Sequence, residues 1–297
     1  MALAALLVPV GGLAHDSPEH VIETLTRRIE IRGRQPDLLW QRATEHRALG
    51  QTPAALDDLR QALQADPNFL PALTDLGRLR LAQGKSRLAL RLIDRALLLA
   101  GSDAERAPLR MLRAEILAER GQDARALEEA DAAIRAAPSL EPEWYLTRSR
   151  LQRRLGRPLE AVASLRAGTE RTGSGVLECE CLDAMIDAGL FDEARPGIAS
   201  HLADSRWRSS WWVRRARIRL ATGEISAAHE DLLAAIHELN DRLSGPLVDG
   251  ELLAERGLAH ALLGDQPLAK RDLARARKLG ADGVAVERLV RALRSGS

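Results

Sequence analysis

The stretch ALTDLGRLRLAQGKSRLALRLIDRA, residues 72–96, decides the reading. Leu73, Leu76 and Gly77 lead to Gly84, and Ala89, Ile93 and Ala96 follow it, so apolar or small residues return every three or four positions on both sides of one glycine. This is the period of two amphipathic helices. Between them, Gly84 ends the first helix by taking a left-handed conformation that costs a glycine little. The four residues before Ala89 suffice only for a tight turn, which predicts a helical hairpin.

Working outward, the hairpin recurs. Gly50, Gly84, Gly121, Gly156, Gly189, Gly223 and Gly264 form a series, and an alanine stands five residues after every one: Ala55, Ala89, Ala126, Ala161, Ala194, Ala228 and Ala269. Seven residues before each glycine the position is small (Ala43, Gly77, Ala114, Ser149, Ala216, Gly257), except in the fifth repeat, which has Leu182. Seven residues after the alanines it is small again, except at His201. Small residues at facing positions let paired helices approach closely, and Pro67 and Pro138 are placed to stop the second helix. The spacing predicts seven hairpins over residues 36–281. Thr172–Gly175 and Ser244–Pro246 interrupt the interval and are expected to form hinges or bulged loops.

These residues resemble the tetratricopeptide repeat family, whose interval of about 34 residues carries Leu-Gly, Gly, Ala, an apolar residue and Ala at these places. Leu76-Gly77, Gly84, Ala89, Ile93 and Ala96 follow the family pattern closely, as do Gly50, Ala55, Leu59, Ala62 and Pro67. The chain departs from it where the family has a tyrosine and this sequence has His46, Arg80, Leu117, Gln152, Met185, Arg219 and His260. The resemblance implies an all-α, right-handed superhelix of about seven hairpins whose first helices line a concave, partner-binding groove. Because an end repeat would expose its apolar face, capping helices are expected at residues 15–35 and 282–297. Ser17-Pro18-Glu19 reads as the N-cap and first turn of the former. In the latter, Val284, Leu289, Val290 and Leu293 form an apolar stripe with Glu287, Arg288, Arg291 and Arg294 facing water.

Composition agrees. The chain has 297 residues with 43 basic and 42 acidic side chains, so overall charge implies no polyanionic partner. Aromatics make up 3%, which leaves a core of alanine and aliphatic side chains suited to close helices. Two cysteines, Cys179 and Cys181, exclude a disulfide framework; two apart on one helix, they read as free thiols. Met1–Ala14 is apolar but well short of the roughly 20 residues of a membrane helix. Its Gly12-Leu13-Ala14 end resembles a signal-peptidase site, so residues 1–14 are read as a truncated signal peptide and the protein as periplasmic or secreted, the alternative being cytoplasmic. Cleavage there would leave His15 first, with only His20 near enough to help it hold copper.

Catalytic signatures are wanting. Gly84-Lys85-Ser86 lacks the earlier glycine of a phosphate-binding loop, and neither a Gly-x-Ser-x-Gly elbow nor a dinucleotide fingerprint occurs. We therefore expect a non-enzymatic scaffold without metal or cofactor, binding a protein or peptide. The position six before each turn glycine, which the resemblance places in the groove, reads Thr44, Arg78, Glu115, Arg150, Asp183, Arg217 and Leu258. Its alternating sign predicts a ladder of ion pairs between neighbouring repeats. Arg148, Arg150, Arg153, Arg154 and Arg157 include no acid, so a carboxylate-bearing peptide is expected on Arg150, Arg153 and Arg154, flanked by Arg78 and Arg217, with Trp40 or Trp144 as apolar anchor. The lysine and asparagine clamp of some family members is not carried over, because Trp40, Thr74, Met111, Leu146, Cys179 and Val213 stand at those places. The competing expectation is a cytoplasmic nucleic-acid binder using the Arg- and Trp-rich helix 206–219.

Overall fold

The structure is a computed structural model and describes residues 17–137 and 141–295, with no side chain described at 295. The leader residues 1–14, His15 and Pro138 lie outside the described residues. All regular structure among the described residues is helical. Helix α1 (Pro18–Arg32) is followed by hairpins α2 (Pro36–Ala48) with α3 (Thr52–Ala65), α4 (Leu70–Ala82) with α5 (Ser86–Leu99), and α6 (Asp103–Glu119) with α7 (Asp123–Ala136). Next come α8 (Pro142–Arg154) and α9 (Pro158–Thr172), α10 (Gly175–Asp187) and α11 (Phe191–Asp204), and α12 (Ser209–Ala221) and α13 (Ile225–Arg242). The series closes with α14 (Gly250–Leu262), α15 (Gln266–Lys278) and α16 (Val284–Ser295). The helices group into two compact units, one ending at Gly156 and one beginning at Arg157.

Local chemistry sets the boundaries. All seven turn glycines have positive φ, between 68° and 86°, and each closes a first helix. Ser17 Oγ accepts from the His20 amide at 3.4 Å and Pro18 occupies the first turn of α1. Ala55, Ala89, Ala126, Ala161, Ala194, Ala228 and Ala269 are all fully buried. A Cβ at Gly77 would stand 2.6 Å from Ile93 Cδ1, so the α4–α5 contact leaves no room for another methyl group.

In the irregular fifth repeat the small residue has changed sides. Leu182 on α10 lies over Gly197 on α11, where a Cβ would meet Leu182 Cδ2 at 2.9 Å. His201 stacks face to face on Trp211, centroids 3.9 Å apart. Of the two predicted interruptions, Gly173 closes α9 in a left-handed conformation, and the longer sixth-to-seventh interval is taken up by an 18-residue α13 and the loop after it.

A second device ties first helix to second. Arg42 grips Asp58 with two hydrogen bonds of 2.8 and 2.6 Å, Arg215 grips Asp231 at 2.9 and 2.6 Å, and Arg256 grips Asp272 at 2.8 and 2.6 Å. Arg113 reaches Glu129 at 3.0 Å in the same register. In each pair the arginine lies eight residues before the turn glycine and the acid sixteen residues after the arginine. The second hairpin has Leu76 and Leu92 there instead, both in one apolar cluster.

The last helix differs from expectation. Val286 and Leu289 of α16 are buried against the α12–α15 core, as a cap requires. Arg288 is withdrawn from water, however, and both it and the still exposed Arg291 reach α10, more than a hundred residues earlier in the chain.

Candidate functional site

In the N-terminal unit the first helices α2, α4, α6 and α8 adjoin in order and form one inner face. Trp40 stands at its start. Its indole donates to Asp75 Oδ2 at 2.8 Å, Phe69 meets it edge-on at 6.3 Å, and Arg47 holds Asp75 from the other side at 3.0 Å. The ring is thus fixed before any partner arrives. It forms a wall shared by two cavities. One, of about 330 Å³, is lined by Val21, Thr24, Leu25, Arg28, Gln41, Thr44 and Glu45; the other, of about 280 Å³, by Leu70, Pro71, Thr74, Asp75, Arg78, Glu105, Pro108 and Leu109.

Arg78 and Arg150 are exposed on this face. Glu115 is accessible between them; crowding by the surrounding helices raises its carboxyl, and the charges of Arg78 and Arg150 act to lower it. Among the described residues no ion pair joins Glu115 to Arg78 or Arg150, so on this face the predicted ladder is only an alternation of charge and not a series of pairs. The rest of the expected arginine site is dispersed. Arg154 turns to the α6–α7 loop, pairing with Asp123 at 2.8 Å and donating to the Ala118 carbonyl at 3.1 Å. Arg148 pairs with Asp131 at 2.7 Å, and Arg153 is half-buried. Trp144 is only 9% exposed and belongs to the core, so Trp40 alone of the two tryptophans offers a surface.

The C-terminal unit treats the same repeat position differently. Asp183 is buried at the meeting point of three arginines: Arg214 donates through Nη2 at 2.6 Å, Arg217 through Nη1 at 2.7 Å, and Arg288 Nη2 lies 2.7 Å away. Burial alone would raise the Asp183 carboxyl, but these three guanidiniums hold it below the usual carboxylate range. Arg217 also pairs with Asp187, Arg288 reaches Glu180 at 2.8 Å, and Arg291 reaches Asp187 at 3.0 Å. Arg217, expected to meet a partner, is instead held by this network.

The ion pairs of α12 also take up four of the six arginines on which the nucleic-acid reading rests, leaving Arg206 and Arg208 outside them. Of the arginines on α12, Arg214 and Arg217 are bound to Asp183, and Arg215 and Arg219 to Asp231 at 2.6 and 2.8 Å. Trp211 is buried under His201, and Trp207 is flanked by Arg206 and Arg242, 5.0 and 5.1 Å from its ring. Phosphate neutralisation needs cations that are not already neutralised.

Sequence reasoning missed three features here. The Arg and acid pairs sixteen apart were visible as a repeated spacing. Arg288 and Arg291 gave no local signal, because their partners lie on a distant helix. Glu255, which lines a cavity beside the network, looked like any helix-surface glutamate; burial pushes its carboxyl up to about 7.

No family model matches the chain, and no curated protein matches its sequence. Solved structures do. A tetratricopeptide repeat protein from Parabacteroides merdae ATCC 43184 superposes with a TM-score of 0.62 at 18% identity, covering 88% of this chain and 100% of that one. YrrB, described as a TPR protein with an unusual peptide-binding site, gives 0.50 at 17% identity over 62% of this chain and 94% of its own. The Cut9–Hcn1 hetero-tetramer of APC/C gives 0.52 at 16% identity over 93% of this chain and 52% of that one. The chain is therefore an all-α helical-repeat protein with the fold of the tetratricopeptide repeat proteins. No helix among the described residues is long and apolar enough to cross a membrane.

Proposed function

We propose that the protein is a non-enzymatic interaction scaffold and that the inner face of its N-terminal unit binds an extended peptide segment. One observation carries this reading: Trp40, fixed by Asp75 and Phe69, separates two cavities able to take side chains on either side of its ring. Arg28 borders the first cavity and Arg78 the second, while Arg150 stands exposed further along the face, so an acidic group beside an apolar side chain would find both its partners. Peptide binding in YrrB, which shares the fold, is consistent with this use.

Selection of a random peptide library on the full chain tests the proposal. Enriched peptides should pair an aromatic or aliphatic residue with Asp or Glu nearby, and should bind Trp40→Ala at least about tenfold more weakly, as loss of a central aromatic anchor implies. Enrichment that survives both Trp40→Ala and Arg78→Glu would reject the site. The export reading rests on Met1–Ala14 alone, and the mass of the mature N-terminus decides it.

A further inference from the structure

Beneath α16 the C-terminal unit holds a cavity of about 190 Å³, lined by residues of α10, α12, α14 and α16. It is on the scale of a small molecule rather than a peptide. Its walls are chemically divided. Val213, Leu258 and Ala285 are apolar; Glu255 presents a carboxyl whose Oε1 is buried and receives no hydrogen bond from any described residue; Ser210 and Arg288 bring donors. Arg288 reaches both Glu180 and Asp183 through one nitrogen, Nη2, which leaves its other nitrogens outside those pairs.

The unmet groups narrow the ligand. Arg214, Arg217 and Arg288 line the cavity with Asp183 and Glu255, and Glu255 Oε1 has no hydrogen-bond partner among the described residues. An apolar ligand, or one bearing an anion alone, would leave that oxygen buried without a donor, and an amine alone would offer nothing to Ser210 and the outer nitrogens of Arg288. A ligand carrying both an ammonium and a carboxylate meets both ends. We propose that this cavity binds a small aliphatic α-amino acid, its ammonium on Glu255, its carboxylate on Arg288 and Ser210, and its side chain against Val213, Leu258 and Ala285. This site is independent of the peptide surface in the N-terminal unit.

The groups acting on Glu255 are Arg214 from α12, Arg242 and Glu238 from α13, and Arg288 from α16. Burial outweighs them and favours the neutral acid, whereas a bound ammonium favours the carboxylate. Binding therefore displaces a proton from Glu255 and tightens as pH rises through about 7, until the ligand's own ammonium begins to deprotonate.

Calorimetric titration of the full chain with L-valine, against isobutylamine and 3-methylbutanoate, tests the proposal. L-valine should bind, with each single-function analogue at least about tenfold weaker, one tenfold step being the loss of one charge-assisted contact. Affinity should rise from pH 6 to pH 8. Glu255→Gln should weaken binding by about the same factor and abolish that rise. Should Glu255→Gln fail to fold, Ala285→Leu, which fills the cavity without altering charge, should abolish binding. The proposal is overturned if L-alanine, L-valine and L-leucine all fail to bind at about 10 mM, well above the millimolar affinity of a weak specific site. It is equally overturned if an analogue matches L-valine, if affinity is flat in pH, or if the variants that fold bind as the parent does.

Discussion

The two inner faces use one repeat position in opposite ways. Six residues before the turn glycine, Arg78 and Arg150 stand in solvent around Glu115, whereas Asp183 and Arg217 are locked in a buried cluster completed by Arg214 and Arg288. Where no further helix lies over such charges they remain available to a partner; where α16 covers them they become structure. Repeat position thus decides which residues face inward, and the neighbouring helix decides whether they can bind anything.

The sharpest way to break this comparison is Asp183→Ala. It would leave Arg214, Arg217 and Arg288 packed together without their shared anion, and removing one member of a buried ionic cluster costs about 3–5 kcal/mol. Urea unfolding should show a loss of that size. If Asp183→Ala proves as mild as a surface substitution, the network does not anchor α16, and the distinction between the faces fails.

Next in size is Glu255→Gln. The parent carboxyl titrates near 4.5 when unfolded and near 7 when folded, so between those values the folded chain holds a proton that the unfolded chain has released. Stability conferred by that proton is complete below about 4.5 and is lost as pH rises through about 7, a swing of about 3 kcal/mol. Glutamine occupies the site without ionising. The variant should match the parent at pH 4.5 and exceed it by up to about 3 kcal/mol at pH 8, measured as urea midpoints across pH. Equal pH profiles would mean that the Glu255 carboxyl is not strained by burial.

Much of the fold was legible because close helix packing demands small residues at fixed intervals: Gly84, Ala89 and Ala96 announce one hairpin, and their equivalents announce the others. Contacts that skip repeats were not legible. Nothing near Arg288 in sequence points to Glu180, and Trp144 and Trp40 differ in burial for reasons that only packing reveals. The Arg42–Asp58 pair lies between these cases, and the second hairpin suggests how to test it. Asp58→Ala should cost about 2 kcal/mol by leaving Arg42 half-buried and unpaired. Replacing both residues with leucine, as Leu76 and Leu92 already stand, should restore most of the loss, because apolar packing substitutes well for a buried ion pair. Failure of the double leucine variant to recover would show that the pair sets helix register as well as filling space.

The smallest stability effect should accompany a large functional one. Arg78 is exposed and makes no hydrogen bond that defines the fold, so Arg78→Ala should change the urea midpoint by less than about 0.5 kcal/mol, the usual range for a surface position. The same substitution removes a cation from the edge of the cavity beside Trp40, and affinity for the library-selected acidic peptides should fall about tenfold, with the loss shrinking as salt rises. No single arginine of the α16 network can behave this way, because there the charge that would meet a partner also holds the helices together. A stable Arg78→Ala chain that binds as before would place the open face among structural surfaces too, and would break the contrast between the two faces from its other side.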